Sequence, residues 1–189
     1  MADLSLLAVF AHPDDEAYRP GGTLALLARS GARVHLLTAT HGEAGSCGDP
    51  PLCAAKDLAA WRERELRCAC ATLGIQPPRL LNYPDGGLAA LDAGELTAQI
   101  LAAIEDTGAQ ALLSFGPDGL SGHPDHVAIG RCAADAFRQA EDVTALYTVA
   151  VPASVAQALE MRQVRAVPDR DIALAVDVSA AWETKLAAI

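Results

Sequence analysis

The stretch His12-Pro13-Asp14-Asp15-Glu16 puts an imidazole and three consecutive carboxylates in one short loop. Neighbouring acids repel one another unless a positive charge sits among them, and Pro13 holds the backbone extended just ahead of them. A bound cation answers that repulsion. A second cluster, Ser121-Gly122-His123-Pro124-Asp125-His126, lies far along the chain. Imidazole and carboxylate are suitable ligands for zinc, and a catalytic zinc keeps three protein ligands and leaves the remaining position to water. His12 with either Asp14 or Asp15 can converge from the first loop, and His123 or His126 can complete the set from the second. Of two adjacent aspartates, one can bind the ion while the other takes a proton from a water whose pKa the ion has lowered toward about 7.

These clusters need elements to hold them. Apolar runs of strand type at 4–10, 33–39, 79–82, 111–115, 144–150 and 172–177 alternate with helical patterns at 21–30, 54–73, 94–107, 123–140 and 153–160. The runs lack polar alternation, as strands covered on both faces do, and the alternation of strand and helix is that of parallel strands joined by crossover helices. The fold class expected is α/β: a three-layer α/β/α sandwich, Rossmann-like, with a mostly parallel sheet, in a single domain over 1–189. Ligands in such sheets gather beyond the carboxyl ends of the strands. There stand His12 to Glu16, then His41-Gly42-Glu43, then Tyr83-Pro84-Asp85, then Asp118 and the second histidine cluster; only His35 of the five histidines sits inside a strand.

A nucleotide is the wrong ligand for this edge. Gly21-Gly22 follows three acids and is not a GxGxxG fingerprint, so a phosphate would meet negative charge where it needs amides. The glycine pair is read instead as letting the first helix approach the sheet closely. A net charge of -10 argues against nucleic acid and against an anionic membrane surface. The opening MADLSLLAVFAH shows no basic leader and no long apolar segment, which predicts neither signal peptide nor membrane span and a cytoplasmic location. Five cysteines do not form a disulfide framework. Cys68, Cys70 and Cys132 lie in helical stretches as buried or idle thiols. Cys47 and Cys53, in the glycine- and proline-rich loop 41–53, can close a loop or hold a metal.

AHPDDE at 11–16 together with GHPDH at 122–126 resembles the LmbE-like, or PIG-L, family of zinc-dependent N-deacetylases. GGTLALLARSGARVHLLTATHGEAG at 21–45, the Arg62-Glu63-Arg64-Glu65-Leu66 helix and the Asp85-Gly86 step agree in order, so the resemblance spans nearly the whole chain. It implies hydrolysis of the acetamide of a small N-acetylglucosaminyl conjugate, with Zn2+, or another divalent metal such as Fe2+, as cofactor. It further implies that His12, Asp15 and His126 are the metal ligands and that Asp14 is the general base. His123, charged by Asp125 or Asp85, would stabilise the oxyanion or protonate the leaving amine. Arg62, Asp85, His41 and Glu43 are the candidate substrate contacts. Family members usually continue beyond the segment matching Asp177-Val178-Ser179 and the Trp182-to-Lys185 helix. The implied missing stretch helps shape the substrate site, and a homo-oligomer is one way to complete it.

Quieter readings stand beside these. Asp14 to Glu16 can cap a helix through its dipole, and Glu16 suits local backbone amides better than metal. Arg62 can belong to a solvated face, Trp61 and Trp182 to packing, and Asp118 to its turn. Two other functions compete: a metal-dependent amidohydrolase acting on another acylated small molecule, and a sugar-conjugate binding relative without catalysis. Asp14 separates the last from the rest, since a binder needs no base beside its ion.

Overall fold

The computed structural model describes residues 4–189. Five strands, β1 (Ser5–Phe10), β2 (Arg33–Thr40), β3 (Arg79–Tyr83), β4 (Ala111–Phe115) and β5 (Ala145–Val149), form one sheet in the order β3-β2-β1-β4-β5, every pair parallel. β1 and β4 are buried along their whole lengths, as their unbroken apolar sequences require. The helices are α1 (Asp15–Tyr18), α2 (Gly21–Arg29), α3 (Leu58–Leu73), α4 (Ala93–Thr107), α5 (Gly119–Gly122), α6 (Pro124–Gln139), α7 (Ala153–Ala158) and α8 (Trp182–Ala187). α2 packs with α3 and α8 in one layer, and α4 with α6 in the other, so the sheet is covered on both faces. This is the α/β sandwich that the alternation of patterns implies.

The order of the strands decides where a ligand goes. From β1 the chain winds outward through β2 and β3, then returns to lay β4 on the other side of β1. The loops leaving β1 and β4 therefore diverge and open a crevice at their carboxyl ends. His12 leaves β1 at this crevice and His126 enters from the far side. Beneath it, Phe10 and Phe115 meet edge to face with ring centroids 5.2 Å apart. The hydroxyls of Thr40 and Ser114 donate to the carbonyls of Ala11 and Val9, tying neighbouring strands to the end of β1. Gly130 on α6 allows that helix to approach β4: a Cβ there would lie 2.6 Å from the Phe115 carbonyl oxygen.

Two expectations fail. The sixth run, 172–177, is no strand: it pairs with nothing, and Leu174 is 63% and Val176 42% exposed. Its apolar composition suits a strand, but a strand needs a ladder partner, and β5 leaves its outer edge unpaired by it. The glycine pair serves a different neighbour from the one expected. A Cβ on Gly22 would lie 2.7 Å from Cβ of Val178, so the close approach is between α2 and the segment leading into α8. Among the described residues no helix is long and apolar enough to cross a membrane.

Candidate active site

The loop after β1 is bent by an unusual backbone. Asp14 has φ 94, a left-handed conformation that an aspartate adopts at a cost. Glu16 holds it there: its Oε2 accepts the Asp14 N–H at 3.0 Å, from a side chain that is buried. Burial, with the Asp14 charge beside it, pushes the Glu16 carboxyl up to about 7. The bend turns Asp14 outward and Asp15 inward. Asp14 is half-exposed and meets Nη2 of Arg62 at 2.5 Å. Asp15 is nearly enclosed, and its Oδ2 accepts the His12 N–H at 2.9 Å.

The crevice brings three donors together. His12 Nδ1 lies 3.2 Å from His126 Nε2. Asp15 Oδ1 lies 3.4 Å from His126 Nε2, and Asp15 Oδ2 lies 3.7 Å from His12 Nδ1. The other nitrogen of each ring is occupied. His126 Nδ1 is 3.1 Å from the Gly119 carbonyl and donates to it, presented by the left-handed pair Gly119 and Leu120 (φ 64 and 63), where a Cβ on Gly119 would strike Val127 at 2.9 Å. Asp118 caps that turn by accepting the Leu120 N–H. His12 Nε2 lies 2.9 Å from Asp85 Oδ1 and 3.2 Å from Asp125 Oδ2, so it carries its proton toward carboxylates. Two imidazole lone pairs then face each other across 3.2 Å with a carboxylate beside them.

The donor chemistry and spacing fit a metal. The 3.2 Å gap between the two ring nitrogens is about that between neighbouring corners of a tetrahedron with bonds of about 2.0 Å, and Asp15 reaches each ring with a different oxygen. Burial, followed by the neighbouring His12, pushes His126 down to about 4, so its ring is a neutral ligand at neutral pH. Burial pushes the Asp15 carboxyl well above its usual range, and Asp14 and Glu16 add repulsion; a cation is its natural counterion. Side chains of two groups bring donor atoms within 4.8 Å of each other: His12, His123 and His126, and His12, Asp85 and Asp125. In the second group the carboxylates are already committed. Asp125, wholly buried, accepts the Gly86 N–H at 2.8 Å and the Leu88 N–H at 3.0 Å, and Asp85 Oδ2 accepts the Ala44 N–H at 2.9 Å. Both lie against His12 Nε2 and fix the orientation of its ring.

Several residues therefore stand elsewhere than the sequence suggests. His123 has no carboxylate on it: its Nδ1 accepts the Asp125 N–H at 3.2 Å as the cap of α6, which leaves the proton on Nε2. Asp125 thus reaches His123 through its backbone N–H, while its carboxylate turns to His12. His123 remains in the cluster, its ring centroid 4.9 Å from those of both His12 and His126. Asp85 directs Oδ1 to His12 and Oδ2 to the Ala44 N–H, so it ties the turn after β3 to the metal-side histidine and to the loop after β2. Glu43 accepts the Asp85 N–H at 2.9 Å and His41 lies 3.0 Å from the Asn82 amide oxygen, so both link the loop after β2 to β3 and its outgoing turn. Arg62 is a clamp. Its guanidinium binds the Pro13 carbonyl, Asp14 and the Gly42 carbonyl, and a Cβ on Gly42 would lie 2.5 Å from its Nη1. One neighbour escapes a reading of the sequence. The Arg165 guanidinium packs against Gly122, beside His123, and nothing in its surroundings in sequence marks it.

The family model for PIG-L, described as GlcNAc-PI de-N-acetylase, matches residues 7–137. The chain belongs to the PIG-L family. Both histidine clusters lie inside the matched span. A curated PIG-L relative from Rhodococcus opacus (strain B4), 1D-myo-inositol 2-acetamido-2-deoxy-alpha-D-glucopyranoside deacetylase, is 32% identical over 231 residues, covering 98% of this chain and 79% of that protein. The alignment is longer than the 189-residue chain, so that relative carries segments with no counterpart here. A Bacillus anthracis protein named "Probable N-acetyl-alpha-D-glucosaminyl L-malate deacetylase 2" is 37% identical over 133 residues, covering 70% of this chain and 58% of that one. The solved structure of GalB, the 4-carboxy-2-hydroxymuconate hydratase from Pseudomonas putida KT2440, superposes with a TM-score of 0.76 at 21% identity, covering 98% and 77%. That likeness concerns the fold alone.

Proposed function

We propose that this protein is a zinc-dependent N-deacetylase that hydrolyses the acetamide of a small N-acetylglucosaminyl conjugate to acetate and a free amine. The observation that carries the reading is the convergence of His12 Nδ1, His126 Nε2 and Asp15 within 3.2–3.7 Å, with Asp14 at the rim of the same loop. The names of its relatives supply the acyl group and the sugar.

In this reading His12, Asp15 and His126 hold the ion. When bound, it supplies Lewis acidity toward the amide carbonyl and lowers the pKa of a water toward about 7. Asp14 is the base that accepts the proton lost as water adds to the carbonyl carbon. Burial raises its carboxyl above the usual range while Arg62 opposes the rise, which suits a group that must both take a proton and return it. His123, with its proton fixed on Nε2, donates to the developing oxyanion or to the departing nitrogen. The C–N bond breaks, the amine leaves with a proton, and acetate remains. Asp125 and Asp85 keep the His12 lone pair aimed inward.

The test is acetate release from a panel of N-acetylglucosamine conjugates, with a chelator and with zinc restored. Turnover that disappears with chelator and returns with zinc is the expected result. Release from none of the conjugates, by protein shown to contain metal, overturns the substrate assignment and turns the search to other acylated small molecules.

A further inference from the structure

The loop between β2 and α3 carries two thiols that the proposed reaction does not use. Cys47 and Cys53 are both half-buried, and both face the same cavity. The backbone closes the turn between them. The Leu52 N–H donates to the Cys47 carbonyl at 2.7 Å, Gly48 takes φ +89, and the Ser46 hydroxyl accepts the Gly48 N–H at 3.1 Å. These bonds close the turn that carries both thiols before any covalent bond exists, which lowers the entropy that closing such a loop would otherwise cost. The other three cysteines differ: Cys70 and Cys132 are buried in helices, and Cys68 is exposed on α3.

The loop's position gives the pair a consequence. Both thiols line a cavity of about 530 Å³ whose wall also includes Asp14, Arg62, Leu58 and Trp61. Upstream the loop passes Ala44, which anchors Asp85; downstream it leads into α3, which carries Arg62. A covalent link across 47–53 would fix one wall of the space beside Asp14.

We propose that Cys47 and Cys53 form a thiol–disulfide site whose co-reactant is a low-molecular-weight disulfide. One cysteine thiolate attacks a sulfur of that disulfide, forming a mixed disulfide and releasing one small thiolate. The second cysteine, as thiolate, attacks the protein sulfur of the mixed disulfide, the intramolecular S–S bond forms, and the second small thiolate leaves. The protein loses two protons and two electrons, and the small disulfide becomes two thiols. This exchange is independent of the acyl chemistry, since it requires neither metal nor substrate.

Fully reduced protein incubated with oxidised glutathione at mildly alkaline pH, then alkylated and digested with trypsin, tests it. Cleavage after Arg33 and Lys56 places both thiols in one peptide. That peptide should emerge two hydrogens lighter and unalkylated, and a dithiol reductant should restore both thiols. Cys53→Ser should instead retain glutathione on Cys47, while Cys68→Ser should behave as wild type. Wild-type protein with Cys47 and Cys53 alkylated, with stable glutathione on either, or with a disulfide to another cysteine would overturn the proposal.

Discussion

The crevice between β1 and β4 and the stretch beyond β5 are built to opposite standards. In the crevice nearly every polar atom has a partner: Asp125 receives two backbone amides and His12, His126 is fixed by a carbonyl from a left-handed turn, and Asp14 is held in its bend by Glu16. Beyond β5 the chain is irregular from Leu159 to Val178 apart from short turns, and Leu159, Leu174 and Val176 face solvent. Fixed orientation is what a metal and a general base require, because small errors in placing them cost rate. The irregular stretch meets the crevice at Arg165, which packs against Gly122 and whose N–H donates to the Leu120 carbonyl, and the R. opacus relative carries segments absent here. The crevice is thus fixed along most of its wall, and the stretch beyond β5 touches it at one point.

If that contrast is right, the largest effect belongs to the donors. His126→Ala should lower activity by at least about 1,000-fold and release the metal, measured by elemental analysis of dialysed protein. Asp14→Asn should lower kcat about 100- to 10,000-fold with metal content unchanged, because it removes a base and leaves the ligands. Asp125→Asn should weaken metal affinity or activity about 10- to 100-fold, in keeping with a residue that aims His12 rather than touching the ion. Gly130→Ala should destabilise the fold by about 1–3 kcal/mol in denaturant titration, since its methyl would press on the Phe115 carbonyl. Leu174→Ser, in the exposed stretch, should change stability by no more than about 0.5 kcal/mol. A large loss at Leu174 with little at Asp125 would reverse the comparison.

Much of this arrangement is legible in the sequence, for identifiable reasons. The unbroken apolar runs at β1 and β4 can only be strands covered on both faces, and the loops that leave them must meet at one end of the sheet. That brings His12, with Asp14 or Asp15, within reach of His123 or His126; the choice of Asp15 and His126 rests on the family resemblance. The partners of Asp85 and Asp125 are not legible, because they depend on how the turn after β3 and the start of α6 approach His12 across the fold. Acid near histidine suggests pairing, and Asp125 is close to His123 in sequence, yet its side chain turns to His12 while its amide serves His123. The run at 172–177 misleads in a related way: an apolar stretch records what a strand would look like, but pairing depends on a neighbour that the run does not itself encode. Arg62 shows the limit for long side chains, since WRERELR reads as a solvated face while this one guanidinium folds back to clamp three groups.

The central claim is that the ion lies on the Nδ1 side of His12. Diffraction from crystals of zinc-loaded protein, with data collected at and below the zinc absorption edge, tests it directly. The account predicts one anomalous peak in contact with His12 Nδ1, Asp15 and His126 Nε2. A peak on the opposite side of the ring, held by His12 Nε2 with Asp85 and Asp125, or no peak in the crevice at all, would contradict it.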